Sequence, residues 1–122
     1  MKPLLFIIPF LLLGCKFAPA YDPVVNQELS HVVMEATDLK SYCPLLTVGQ
    51  VHSELTIPAT EARQIAKYRS SVIESGAHAL EVQIGTFEVM LGKGGVSKAY
   101  CQGKLDDISN SADALMKGIG AL

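Results

Sequence analysis

Apolar residues along most of this chain recur at helical spacing. After Asp22-Pro23, which reads as an N-cap followed by proline at the first helical position, Val25, Leu29, Val32, Ala36, Leu39 and Cys43 are spaced 4, 3, 4, 3 and 4 apart, and Pro44 ends the run. That pattern predicts a first helix with one buried stripe. Thr60 reads as the cap of a second, longer helix with two stripes: Ala62, Ala66, Ile73, Ala77, Leu80, Ile84, Phe87 and Leu91, and beside it Ile65, Tyr68, Val72, Ala79, Val82 and Val89. Two stripes predict contact with two neighbours. A strand over Leu80 to Thr86 competes locally, because Leu80, Val82 and Ile84 alternate with Glu81 and Gln83, but the helical period runs longer. Gly92-Lys93-Gly94-Gly95 reads as a helix C-cap and turn. A third helix follows, carrying Cys101, Leu105, Ile108, Ala112, Leu115, Ile119 and Leu122, loosened by Gly103, Gly118 and Gly120. Between Pro44 and Pro58 no period is sustained, and the segment reads as a packed connector with a short helical turn over Thr47 to Leu55. The expectation is an all-α fold, a small three-helix bundle over residues 22–122.

The amino terminus has a different character. Lys2 precedes an apolar run from Leu4 to Leu13 that only Pro9 interrupts, and Leu12-Leu13-Gly14-Cys15 closes it. Ten residues cannot span a bilayer core, which needs about twenty in a helix. A positive start, a short apolar centre and a small residue at the end are the parts of a secretory signal. Leu12-Leu13-Gly14-Cys15 resembles the lipobox of bacterial lipoproteins, in which the cysteine thiol is joined to diacylglycerol and the leader is removed before it. The resemblance implies a signal peptide over residues 1–14, a lipidated Cys15, and a tether over residues 15–21. Two or three acyl chains anchor stably where one is marginal. In that family an Asp after the cysteine tends to retain the protein in the inner membrane; here Lys16 follows, which implies an outer-membrane location facing the periplasm.

Composition narrows the choice of partner. The chain is 49% apolar with a mean hydropathy of +0.30, but much of that excess sits in the leader. A net charge of −2, with lysine and arginine scattered singly, offers no basic patch for phosphates and no polybasic block for anionic lipid. Nucleic acid is excluded as an expected partner, and attachment to the membrane falls to the lipid anchor. Lipidation of Cys15 also removes one of the three cysteines from the count, leaving Cys43 and Cys101. In an oxidising periplasm such a pair is expected to form an intramolecular disulfide. A redox or metal role would call for a C-x-x-C spacing or a neighbouring histidine, and the sequence has neither.

A Cys43–Cys101 bridge restricts topology, since the two Cα atoms must come within about 6 Å. Cys43 closes the first helix and Cys101 lies near the start of the third, so a plain up-down-up bundle separates them by a helix length. Two arrangements bring them together: a connector that runs back along the bundle, making the first two helices parallel, or a break in the second helix near Gly76 or Gly85 that folds it into a hairpin.

Chemistry is sparse. His31, Glu35 and Asp38 share a face at i, i+4 and i+7, the spacing of helical metal ligands, but an exposed histidine with an acid four residues on is more simply a solvated pair, and no metal is expected. His52 and His78 are expected to have no acidic or cysteine partner at a recognisable distance. No serine lies in G-x-S-x-G or S-x-x-K, and Glu74, Glu81 and Glu88 recur every seven residues in the manner of a solvated outer face. Of the tyrosines at 21, 42, 68 and 100, only Tyr21 is expected to be exposed enough to help bind a partner. With no catalytic constellation and no cofactor motif, the expected function is that of a non-enzymatic interaction module contacting another envelope protein. Small helical lipoproteins of bacteria, prophages and plasmids are similar in size and pattern, and some block phage or plasmid entry, which implies an exclusion-type role. The alternative is a structural or assembly subunit of a larger envelope complex for secretion, lysis or assembly.

Overall fold

The computed structural model describes residues 23–121, so Cys15, the tether, the Asp22 cap and Leu122 lie outside the described residues. Those residues are helical throughout apart from the turns: α1 (Pro23–Leu39), a 3₁₀ turn (Lys40–Tyr42), α2 (Val48–Val51), a π-helical turn (His52–Thr56), α3 (Ile57–Ala66), α4 (Ser71–Lys93) and α5 (Lys98–Ala121). α2, the π turn and α3 follow one another directly and make one arm. The bundle therefore has four helical arms where three were expected, and the segment expected to be a packed connector is helical from Val48 onward.

Local chemistry explains both differences. Thr47, in extended conformation, accepts from the Gln50 backbone N–H at 3.1 Å, while the Gln50 side chain accepts from the Thr47 N–H at 2.9 Å. This capping box starts the second arm, so Thr47 is its cap and Thr60 lies within α3. Pro58 then falls inside the arm, where it removes one amide donor and crowds the carbonyl four residues back. The wider π turn stands just before it, with the Ile57 N–H bonded to the His52 carbonyl. The expected break in the long helix occurs at Lys67–Ser70, not at Gly76 or Gly85. The N–H groups of Arg69 and Ser70 both turn back to the Ala66 carbonyl at 2.9 Å, and the Ser70 hydroxyl then accepts from the Ile73 N–H to start α4. Gly76 and Gly85 are both helical. A side chain at Gly76 would lie 2.6 Å from Leu115 Cδ1, so this glycine lets α4 and α5 approach.

Short connections join the four arms in sequence, with α1 packed on α3 and α5, and α4 packed on the same two. α1 and α4 thus occupy opposite corners. Such up-down-up-down order brings the end of the first arm beside the start of the fourth, and Cys43 and Cys101 are bonded there with Cα atoms 5.8 Å apart. Of the two arrangements the bridge allowed, the hairpin is the one that forms. Val25, Leu29, Val32, Ala36, Leu39 and Cys43 are all buried, as are Leu80, Ile84 and Phe87 of α4 and Leu105, Ile108 and Ala112 of α5. The second arm adds Val51, Leu55, Ala59, Ala62 and Ala66. Each large apolar side chain so buried contributes roughly 1.5–3 kcal/mol relative to exposure. α4 ends at Gly94 and Gly95, whose φ values of 78° and 74° suit glycine, and the Ser97 hydroxyl accepts from the Tyr100 N–H at 3.1 Å to begin α5.

Candidate functional site

Three places in the bundle gather polar chemistry. The first is the end where the outer arms meet. Beside the Cys43–Cys101 bridge, Gln102 donates to the Lys40 carbonyl at 3.2 Å, and Lys40 Nζ lies 2.8 Å from Asp106 Oδ1. The side-chain amide satisfies a carbonyl at the end of the first arm, so these contacts seal a junction.

The second is the seam between α3 and α4. Glu81 is ion-paired with Arg63 and accepts from the Thr60 hydroxyl at 3.0 Å, with His78 Nδ1 3.9 Å from its other oxygen. Two turns along, Glu88 accepts from the Thr56 hydroxyl, with His52 Nδ1 3.8 Å away. The side chains of Glu81 and Glu88 are only 19% and 20% exposed, which overturns their expected place on a solvated outer face. The heptad spacing is real, but Glu81 faces α3 and Glu88 faces the π turn. In both clusters a threonine hydroxyl donates to a carboxylate and the imidazole stands off from that same carboxylate. Nucleophilic activation needs the hydroxyl held by the base. The seam is therefore built as a polar zip between helices.

The third lies between α1 and the second arm. His31 Nε2 is 4.0 Å from Glu35 Oε1 and 3.9 Å from Glu54 Oε2, and one donor atom from each residue falls within 4.8 Å of the others. His31 and Glu35 come from one face of α1, and Glu54 comes from the π turn. Asp38, expected to share this cluster, stays exposed and outside it. A turn toward the amino end, Glu28 meets Glu61 of α3 across the same seam. Burial, then the hydrogen bond and charge of Glu61, hold the Glu28 carboxyl above the usual carboxylate range, against a smaller opposing pull from His31. Burial and the charge of Glu54 do the same to Glu35. Among the described residues no lysine or arginine forms a salt bridge with Glu28, Glu35, Glu54 or Glu61.

The outer face of α4 carries an uncharged stripe. Val72, Val82 and Val89 are exposed, with Ala79 and Thr86 between them, so the α4 part of the second stripe read from the sequence has no neighbour among the described residues, while Ile65 of α3 packs against the core. Tyr42 and Tyr68 are exposed as well, at 54% and 83%, which corrects the expectation that Tyr21 alone would be. Two open depressions flank α4, one of about 280 Å³ beside Met90 and Tyr100 and one of about 430 Å³ beside Arg63 and His78. The second also carries Ser71, Glu74 and Ser75, but among the described residues no hydrogen bond joins either serine hydroxyl to Glu74 or His78, so no activated nucleophile is formed. No family model, no curated protein and no solved structure matches this chain.

Proposed function

We propose that the chain is a lipid-anchored helical module of the bacterial envelope, held by an acylated Cys15 and acting through protein contact in an exclusion-type role. The observation that carries this reading is Leu12-Leu13-Gly14-Cys15 at the end of a short apolar run behind Lys2. Residues 1–14 are then the leader and Cys15 the lipid-bearing amino terminus of the working protein, most simply in the outer membrane facing the periplasm. Among the described residues no helix is long and apolar enough to cross a membrane. The Cys43–Cys101 bridge agrees with folding in an oxidising compartment. No cofactor and no catalytic step is assigned.

Mass spectrometry of the protein from native membranes tests the placement. The expected species begins at Cys15 and carries a diacylglyceryl group with further acylation. An uncut chain, or a cut one without fatty substituents, refutes it. A second reading, assembly subunit of a larger envelope complex, is favoured by the outer face of α4, where Val72, Ala79, Val82 and Val89 form a helix stripe with no neighbour among the described residues. Crosslinking from Val82 in intact cells discriminates the two: capture of one partner at fixed stoichiometry favours the subunit.

A further inference from the structure

We propose that His31, Glu35 and Glu54 form a binding site for a divalent transition-metal ion of the zinc class. Spacing on α1 supplies two donors one helical turn apart, and the fold brings the third from another arm, which the sequence alone does not reveal. The three donor atoms already lie within 4.8 Å of one another, with His31 Nε2 4.0 and 3.9 Å from the two carboxylates. Around a tetrahedral zinc with bonds of about 2.0–2.1 Å, donors stand about 3.3 Å apart. Closing the triangle takes inward movements of about half an ångström to one ångström in each side chain. All three are free to make them, being 51%, 26% and 42% exposed.

Electrostatics supplies a second, separate reason. Two pairs of carboxylates, Glu28 with Glu61 and Glu35 with Glu54, face each other along this seam, and among the described residues no lysine or arginine ion-pairs with any of the four. Arg63, Lys40 and Lys117 pair with other carboxylates, Glu81, Asp106 and Asp113. A divalent cation between α1 and the second arm balances the charge that the chain leaves unbalanced there. The imidazole selects a borderline transition ion over magnesium or calcium, which prefer oxygen alone. Three protein donors leave a fourth position for water, and a bound ion would also tie the π turn to α1. This site does not depend on the lipid anchor.

The test is calorimetric titration of zinc into the full chain, disulfide intact, in detergent and freed of metal by a chelator. The expected result is one zinc per chain, binding at least tenfold weaker in each of His31→Gln, Glu35→Gln and Glu54→Gln, and unchanged binding in Asp38→Asn. A hundredfold excess over Kd is expected to raise the melting temperature of the wild-type chain by roughly 10–20 °C, the sign that the folded state holds the ion. Thermal melts of the variants show that each still folds. Absorption spectroscopy at the zinc edge is expected to report one imidazole nitrogen with oxygen donors. No zinc binding by the wild-type chain, or equal binding by His31→Gln, overturns the assignment.

Discussion

Replacing Cys43 and Cys101 with alanine separates the covalent contribution to this fold from the packing contribution. The bridge closes a loop of 58 residues in sequence, and the chain-entropy relation for a loop of that size gives a stabilisation of about 4 kcal/mol at 25 °C. A domain of this length is stable by roughly 5–15 kcal/mol in total, so the loss is a large share. Both cysteines are buried in the core, at 7% and 0% exposure, and truncation to alanine there removes some packing as well. For a domain near 100 residues, each kcal/mol shifts the melting temperature by about 4–8 °C, and the double variant should melt roughly 15–30 °C lower. Urea unfolding followed by circular dichroism measures the effect directly. The midpoint should fall and the denaturant slope should rise, because an unfolded chain without the loop exposes more surface. A double variant within about 1 kcal/mol of the wild type would falsify the view that the bridge holds the first and last arms together.

Other expectations follow from single positions. Gly85→Ala, inside α4 with open space where its Cβ would stand, should raise stability by about 0.5–1 kcal/mol in the same assay, whereas Gly94→Ala, at φ 78°, should lower it by about 1 kcal/mol. Phe87→Ala, which empties a fully buried position, should cost roughly 3–5 kcal/mol, and a cost below 1 kcal/mol would contradict the packing described. Glu28 and Glu35 hold their protons more tightly in the folded chain than in the unfolded one, so their contribution to stability is full below the ordinary carboxylate range and is lost as pH rises through the raised values. In metal-free buffer Glu35→Gln should therefore stabilise the protein at pH 7 by a few tenths of a kcal/mol and leave it unchanged in acid; melting temperatures across pH that run parallel for both proteins would refute this.

The helical class and the cysteine pairing were legible in the sequence because each rests on one stretch of chain or on a count. α1 was readable from its stripe, although the α-helix ends at Leu39 and a 3₁₀ turn carries the chain on to Cys43 and Pro44. The four-arm count was not, because Ala66 and Ile73 are seven residues apart and keep the helical phase across the turn between them. The only sign of the break is Arg69-Ser70 standing where the stripe asks for an apolar residue. Thr47 and Gln50 also carried a readable capping signal, but Pro58 argued against any helix running through it, and a π turn is not written in periodicity. The placement of Glu81 and Glu88 failed for a related reason: a heptad row shows that residues share a face and says nothing of what lies opposite. His31 and Glu35 were visible as a pair on α1. Glu54 was invisible as their neighbour, since its arrival depends on which arms pack together.

The position of the bridge also determines how the bundle answers a pull. The first and last helices have their outer ends at the same side of the bundle, away from the sulfurs. Traction on the amino-terminal end can peel α1 from its neighbours only as far as Cys43, and beyond that the load passes through the covalent link to Cys101 and bypasses everything between them. A tug there pays out a leash of one helix while the second and third arms carry none of the load.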